Sequence, residues 1–162
     1  MPASPAAADP SAALAPLVVD LVVPCPPRRA FDYFTRDVGR WWPLATHSVG
    51  GATSRGVAFE PRAGGRLVET LADGRECVWG TVESWQPGER VRFTWHPGRE
   101  AATAQWVEVA FAPNPAGTRV TLTHGGWEPL GADAAATRAR YAGGWNVVLG
   151  ERFAGHCAAP AR

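Results

Sequence analysis

Residues Arg66 to Trp95 read RLVETLADGRECVWGTVESWQPGERVRFTW. Three runs of alternating apolar and polar residues are separated here by two turn signals. The runs are Arg66–Leu71, Cys77–Trp85 and Val91–Trp95. Between them stand ADGR, with an Asp-Gly pair suited to a two-residue hairpin, and QPGE, with Pro and Gly where a tight turn wants them. Strands joined this tightly must run antiparallel, because a parallel pair needs a long crossover. The same grammar extends outward. Upstream, Val57–Phe59 is a short strand before the turn Pro61–Gly65. Downstream, Gln105–Phe111 puts Val107, Val109 and Phe111 on one face, PNPAG turns the chain, and Arg119–His124 closes the series with Val120, Leu122 and His124 inward. At the other end Leu17–Val23, LVVDLVV, alternates as a further strand.

Helical signals flank this block. Pro26 and Pro27 suit a helix first turn. Ala30, Phe31, Phe34 and Val38 follow at helical spacing, and Gly39 is expected to break that helix. Gly50–Gly56 reads as a loop. From Asp133 to Cys157 the pattern is one long helix, with Asp133 as its expected N-cap. Tyr141, Trp145, Leu149 and Phe153 form its apolar stripe. A sheet of hairpins has one face to cover, and this helix is the element available to cover it. The expected fold is α+β, a curved antiparallel sheet wrapped around a long C-terminal helix, with a cavity between them. Residues 1–16, rich in Ala, Pro and Ser, are expected to be a disordered tail. Residues 17–157 form a single domain, and 158–162 a short second tail.

The composition narrows the function classes. The formal net charge is +1, and all 16 basic residues are arginines scattered without a stripe, so nucleic acid is a poor partner. Three widely spaced cysteines and no CxxC argue against a disulfide framework or a structural zinc. They fit a reducing cytoplasm. The N-terminus has no signal-peptide pattern and no apolar run suits a membrane span. No GxGxxG, P-loop, HExxH or Gly-x-Ser-x-Gly motif occurs. No metal and no cofactor is expected. Eight tryptophans against one methionine are unusual. They fill a core or line a cavity.

Several segments resemble a known family. VPCPPRRAFDYFT…VGRWWP resembles the opening segment of the START-like, or SRPBCC, helix-grip superfamily. EPRAGGRLVE, DGRECVWGTVESWQPGERVRFTW and TRVTLTHGGWE resemble sheet hairpins of its branch related to the C-terminal domain of the activator of the heat-shock-protein-90 ATPase. YAGGWNVVLGERF resembles that branch's last helix. The resemblance implies a helix-grip fold with a cavity under the last helix. It implies far less about activity, since the superfamily includes lipid binders, polyketide cyclases, aromatases and co-chaperone domains.

The candidate site residues follow from position. In GRWWPLATHS, Gly39–Ser48, adjacent tryptophans at a helix end point apart, so one of Trp41 and Trp42 closes the core while the other faces the pocket. His47 is either an exposed loop histidine or a polar group at the pocket entrance, with Ser48 beside it. His124 falls on the inward face of its strand, as a satisfied core histidine or a working one. Glu69 shares a face with Leu67 and Leu71, where a carboxylate needs an arginine or histidine partner unless a bulge turns it outward. Trp95 is inward and Trp106 outward; Tyr141 and Trp145 face the sheet. Gly143 and Gly144 leave room for a ligand or for close helix–sheet approach. The ligand-binding set is therefore Trp41, Trp42, His47, Trp95, His124, Tyr141 and Trp145, and the candidate proton-moving groups are His47, His124 and Glu69. The first expectation is a binder of a small, largely apolar, possibly aromatic molecule. A cyclase, aromatase or dehydratase is the second. A chaperone-associated interaction module is the third, with a homodimer or a chaperone partner left open.

Overall fold

In a computed structural model, residues 14–159 are described. The expected tails at 1–16 and 158–162 lie mostly outside these residues. Within them, Leu14 already packs against the core, and the Ala15 carbonyl accepts a bond from Arg138 Nε at 2.7 Å.

The chain forms β1 (Leu17–Val23), α1 (Pro27–Thr35), α2 (Val38–Trp41), β2 (Gly56–Phe59), β3 (Arg66–Thr70), β4 (Glu76–Gln86), β5 (Arg90–Trp95), β6 (Gln105–Asn114) and β7 (Gly117–Gly125). A helical rod follows: α3 (Ala134–Trp145), a π-helical stretch over Asn146–Phe153, and α4 (Ala154–Ala158). Seven antiparallel strands make one curled sheet in the order β1-β7-β6-β5-β4-β3-β2, gripping the C-terminal rod. Every strand expected from alternation is present, because alternation and turn chemistry are local properties of the chain.

Two expectations about helices are corrected. Gly39 does not end the first helix, which stops at Thr35; it sits inside α2. A Cβ there would lie 2.7 Å from the Val57 carbonyl oxygen, so glycine lets α2 press against the backbone of β2. Asp133 stands at the N-cap position of α3 but makes no side-chain cap bond, since a 3-10 segment (Glu128–Asp133) already leads into the helix.

The stripe Tyr141, Trp145, Leu149, Phe153 recurs every four residues. On a 3.6-residue helix that spacing drifts by about 40° per step. The wider π turns after Trp145 take back this drift, and Trp145, Leu149 and Phe153 all end buried.

The aromatic core divides into two ends along this rod. At the Phe153 end, α1 and α2 fill the space: Phe34 lies 5.5 Å from both Trp41 and Phe153, and Phe31 packs on Trp85 and Phe111. At the Trp145 end no helix among the described residues fills the space, and a cavity remains. Trp41 and Trp42 divide the two.

Candidate functional site

The last residue of α2 and its C-cap have different backbone conformations, helical at Trp41 and extended at Trp42 (φ −63°, ψ 129°). Their side chains therefore leave in different directions. Trp41 turns into the filled end, donates Nε1–H to the Tyr33 carbonyl at 2.8 Å and packs 5.2 Å from Phe153. Trp42 turns to the open end, against Trp79, Trp95 and Trp145 at ring separations of 5.2, 5.9 and 5.9 Å. Its Nε1–H donates to the His47 carbonyl at 2.7 Å, which folds the following loop over the cavity mouth. Of the two tryptophans, only Trp42 lines the cavity.

The cavity is about 500 Å³. Its floor is the rings of Trp42, Trp79, Trp95 and Trp145; Tyr141 stands against Trp95, on the side of Arg99 and Arg140. Five of the seven expected binding residues, Trp42, His47, Trp95, Tyr141 and Trp145, line it, while Trp41 and His124 lie outside the lining. His47 leans towards α3, where its ring edge comes 4.0 Å from the point a Cβ on Gly144 would occupy. Gly144 thus leaves room at the mouth, whereas Gly143 faces outward. Thr46 Oγ1 holds His47 Nδ1 at 2.7 Å. When Nδ1–H is the donor in that bond, Nε2 is left with its lone pair. Ser48 is occupied in the loop itself, donating to the Leu44 carbonyl and accepting from Gly51 N–H.

His124 sits behind the wall, fully buried. Its Nδ1 accepts from Trp145 Nε1–H at 3.0 Å, so Nε2 carries the proton and donates to Gln105 Oε1 at 3.3 Å. Gln105 is oriented in turn by donating Nε2–H to the Thr103 carbonyl at 2.7 Å. Burial drives the His124 pKa down to about 3, and the ring stays neutral. It pins Trp145, and neither nitrogen is free for a ligand.

Glu69 is inward and fully buried, despite a bulge between β3 and β4 next to Leu67 and Val68. The extra residue of that bulge belongs to β4, and β3 keeps its alternation. The partners of Glu69 are neither arginine nor histidine. It accepts from Val49 N–H at 2.9 Å, Gly50 N–H at 2.8 Å and Trp79 Nε1–H at 3.0 Å. Burial works to raise its pKa, but these donors, with Ser54, outweigh it and hold the carboxyl below its ordinary value. Glu69 does not line the cavity; it clamps the mouth loop at Val49 and the floor at Trp79.

Sequence reasoning missed Trp79, Arg99 and Arg140 in the lining. A signal existed for Trp79. Gly80 inside a strand suggests a bulge, and a bulge explains how both Trp79 and Val82 point inward. No local signal marks Arg99 and Arg140. Trp106 is on the outer face as expected, with the Arg92 guanidinium 4.4 Å above its ring.

A curled antiparallel sheet around one long helix, with an aromatic cavity at one end, defines the helix-grip class. A family model described as activator of Hsp90 ATPase homolog 1-like protein matches residues 24–157, and the chain belongs to that family. Among solved structures, the chain is similar to an anthrahydroquino-γ-pyrone synthase, Txn09, determined as a complex, with 31% identity, 88% of this chain and 97% of that one covered, and a TM-score of 0.60. Protein CV1439 from Chromobacterium violaceum matches at 18% identity over 91% of this chain and 100% of its own, TM-score 0.64. An AHSA1-like protein from Aeromonas hydrophila matches at 19% over 87% and 90%, TM-score 0.61. The last two speak to the fold alone. A comparison with curated proteins finds no match. Fold and family support a ligand-binding or cyclase-like role. Among the described residues, no helix is long and apolar enough to cross a membrane.

Proposed function

We propose that this protein binds a small, flat, largely apolar aromatic molecule in the cavity between the sheet and the C-terminal rod. The observation that carries this reading is the lining: four tryptophans and a tyrosine face a space of about 500 Å³. That volume falls in the roughly 300–1,000 Å³ range of small-molecule sites. Stacking and edge contacts with flat rings supply affinity, and polar groups at the mouth set orientation. Three widely spaced cysteines with no CxxC fit a reducing cytoplasmic setting. The test is titration with a neutral tricyclic quinone, read by quenching of tryptophan fluorescence. Saturable quenching that is abolished by Gly144→Leu, in a protein of unchanged circular dichroism, is the expected result. Linear, non-saturating quenching in both proteins refutes it.

The 31% identity to a γ-pyrone synthase over most of both chains favours a second reading, in which the bound molecule undergoes ring closure. His47 is then the proton acceptor, because imidazole is the side chain in the lining suited to taking up and returning a proton near neutral pH. Chromatography and NMR of the molecule released from protein recovered from its own source separate the two readings, because closure by addition leaves the mass unchanged. If ring closure occurs in the cavity, the unaltered protein yields the closed ring and the His47→Gln protein its open precursor. The same molecule from both proteins leaves binding alone.

A further inference from the structure

The cavity is aromatic at its floor and cationic at its mouth. Arg99 and Arg140 both line it, and the lining contains no Asp or Glu. Among the described residues, neither arginine is in an ion pair. Arg140 spends one N–H on Thr137 Oγ1 at 3.3 Å and keeps the rest of its fork. Arg99 follows β5 in a turn held on both sides: its N–H donates to the His96 carbonyl at 2.9 Å, and its own carbonyl meets His96 Nδ1 at 3.0 Å. Its backbone is therefore fixed beside the mouth.

Tyr141 joins the two. Its hydroxyl oxygen accepts from Trp95 Nε1–H at 3.0 Å. That bond uses the oxygen, not the hydrogen, and among the described residues no acceptor takes the O–H. The phenol therefore has a proton to donate. Burial pushes its pKa up, against the opposing pull of the Trp95 bond and of Arg99 and Arg140, so it stays protonated as a donor. Two guanidinium groups and one phenolic O–H thus stand at one end of an apolar slot with no carboxylate to neutralise them. This is a donor set for an anionic oxygen, and guanidinium is the side chain best matched to a planar one.

Resting on the reading of the cavity as an aromatic-binding site, we propose that its ligand carries an ionised acidic oxygen group at one end of the ring system, bound by Arg99, Arg140 and the Tyr141 hydroxyl. The rings enter the tryptophan floor and the acid stays at the rim.

The experiment compares anthraquinone-2-carboxylate with anthraquinone-2-carboxamide, its neutral isostere, by tryptophan quenching at low salt. Charge-assisted hydrogen bonds at a partly exposed rim give the carboxylate an expected preference of about tenfold. The double variant Arg99→Gln/Arg140→Gln brings the two probes to equal affinity; both arginines are exposed, so the fold is retained. Tyr141→Phe removes part of it. Equal affinity for the two probes overturns the inference while leaving the aromatic-binding reading in place. A preference that survives the double variant overturns the assignment to these arginines. Failure of both probes to bind refutes the binding reading, and this inference with it.

Discussion

Replacing Glu69 with glutamine tests how the cavity mouth is held. In the native protein Oε1 takes Val49 N–H and Trp79 Nε1–H, and Oε2 takes Gly50 N–H. Glutamine keeps one acceptor oxygen and replaces the other with an amine. Two bonds survive in weaker, uncharged form, and at the third position two donors confront each other. Bonds to a charged group contribute about 1.5–3 kcal/mol each, and an unsatisfied buried donor costs about 1–3 kcal/mol. Relief from burying a charge offsets part of this. The net loss is roughly 2–4 kcal/mol, which lowers Tm by roughly 5–15 °C in a domain of this size. The pH dependence sharpens the test. Because the folded-state pKa of Glu69 is depressed, the unfolded chain takes up this proton first. The carboxylate's contribution is complete above the ordinary carboxyl value of about 4.3 and fades as pH falls through the folded-state value. Urea unfolding followed by tryptophan fluorescence should show the widest gap between native protein and Glu69→Gln at pH 7, narrowing below about pH 4. Equal stability at pH 7, or a gap that does not change with pH, refutes the clamp.

Gly144→Ala should stabilise the protein by up to about 1 kcal/mol, since glycine is a poor helix former and its Cβ would meet nothing closer than the 4.0 Å edge of His47; thermal melts check this. Gly39→Ala should do the opposite despite the same helix preference, because its Cβ lands 2.7 Å from the Val57 carbonyl; the expected loss is about 1–3 kcal/mol in urea unfolding. His124→Phe keeps the ring but leaves Trp145 Nε1–H without its acceptor, for a loss of about 1–3 kcal/mol. His124 is also neutral when folded, with a pKa near 3, and takes up a proton on unfolding below about pH 6.5. The native protein should therefore lose up to about 1.4 kcal/mol per pH unit between pH 6 and 4 on this account, a slope that His124→Phe reduces; an unchanged slope in the variant speaks against the assignment.

The strands were legible in the sequence because a strand declares itself over a handful of residues. The alternation of Val91, Phe93 and Trp95, the Asp73-Gly74 pair and the Pro87-Gly88 pair each act within a few bonds of themselves. The stripe from Tyr141 to Phe153 was legible for the same reason, and so was a cavity, because a curled sheet closed by one helix encloses space. The roles of individual side chains were decided by tertiary structure. Trp41 and Trp42 are chemically identical neighbours, and only the change from helical to extended backbone after α2 sends one into packing and the other into the cavity wall. His124 faces inward as alternation predicts, yet Trp145, 21 residues away, takes the nitrogen that a catalytic role needs. Glu69 finds its donors in a loop 19 and 20 residues upstream. Arg99 follows a strand and Arg140 lies on a helix, and nothing near either in the chain marks it. They meet at one rim because sheet curvature brings the end of β5 beneath α3, and convergence over such separations is set by packing, which local pattern does not encode.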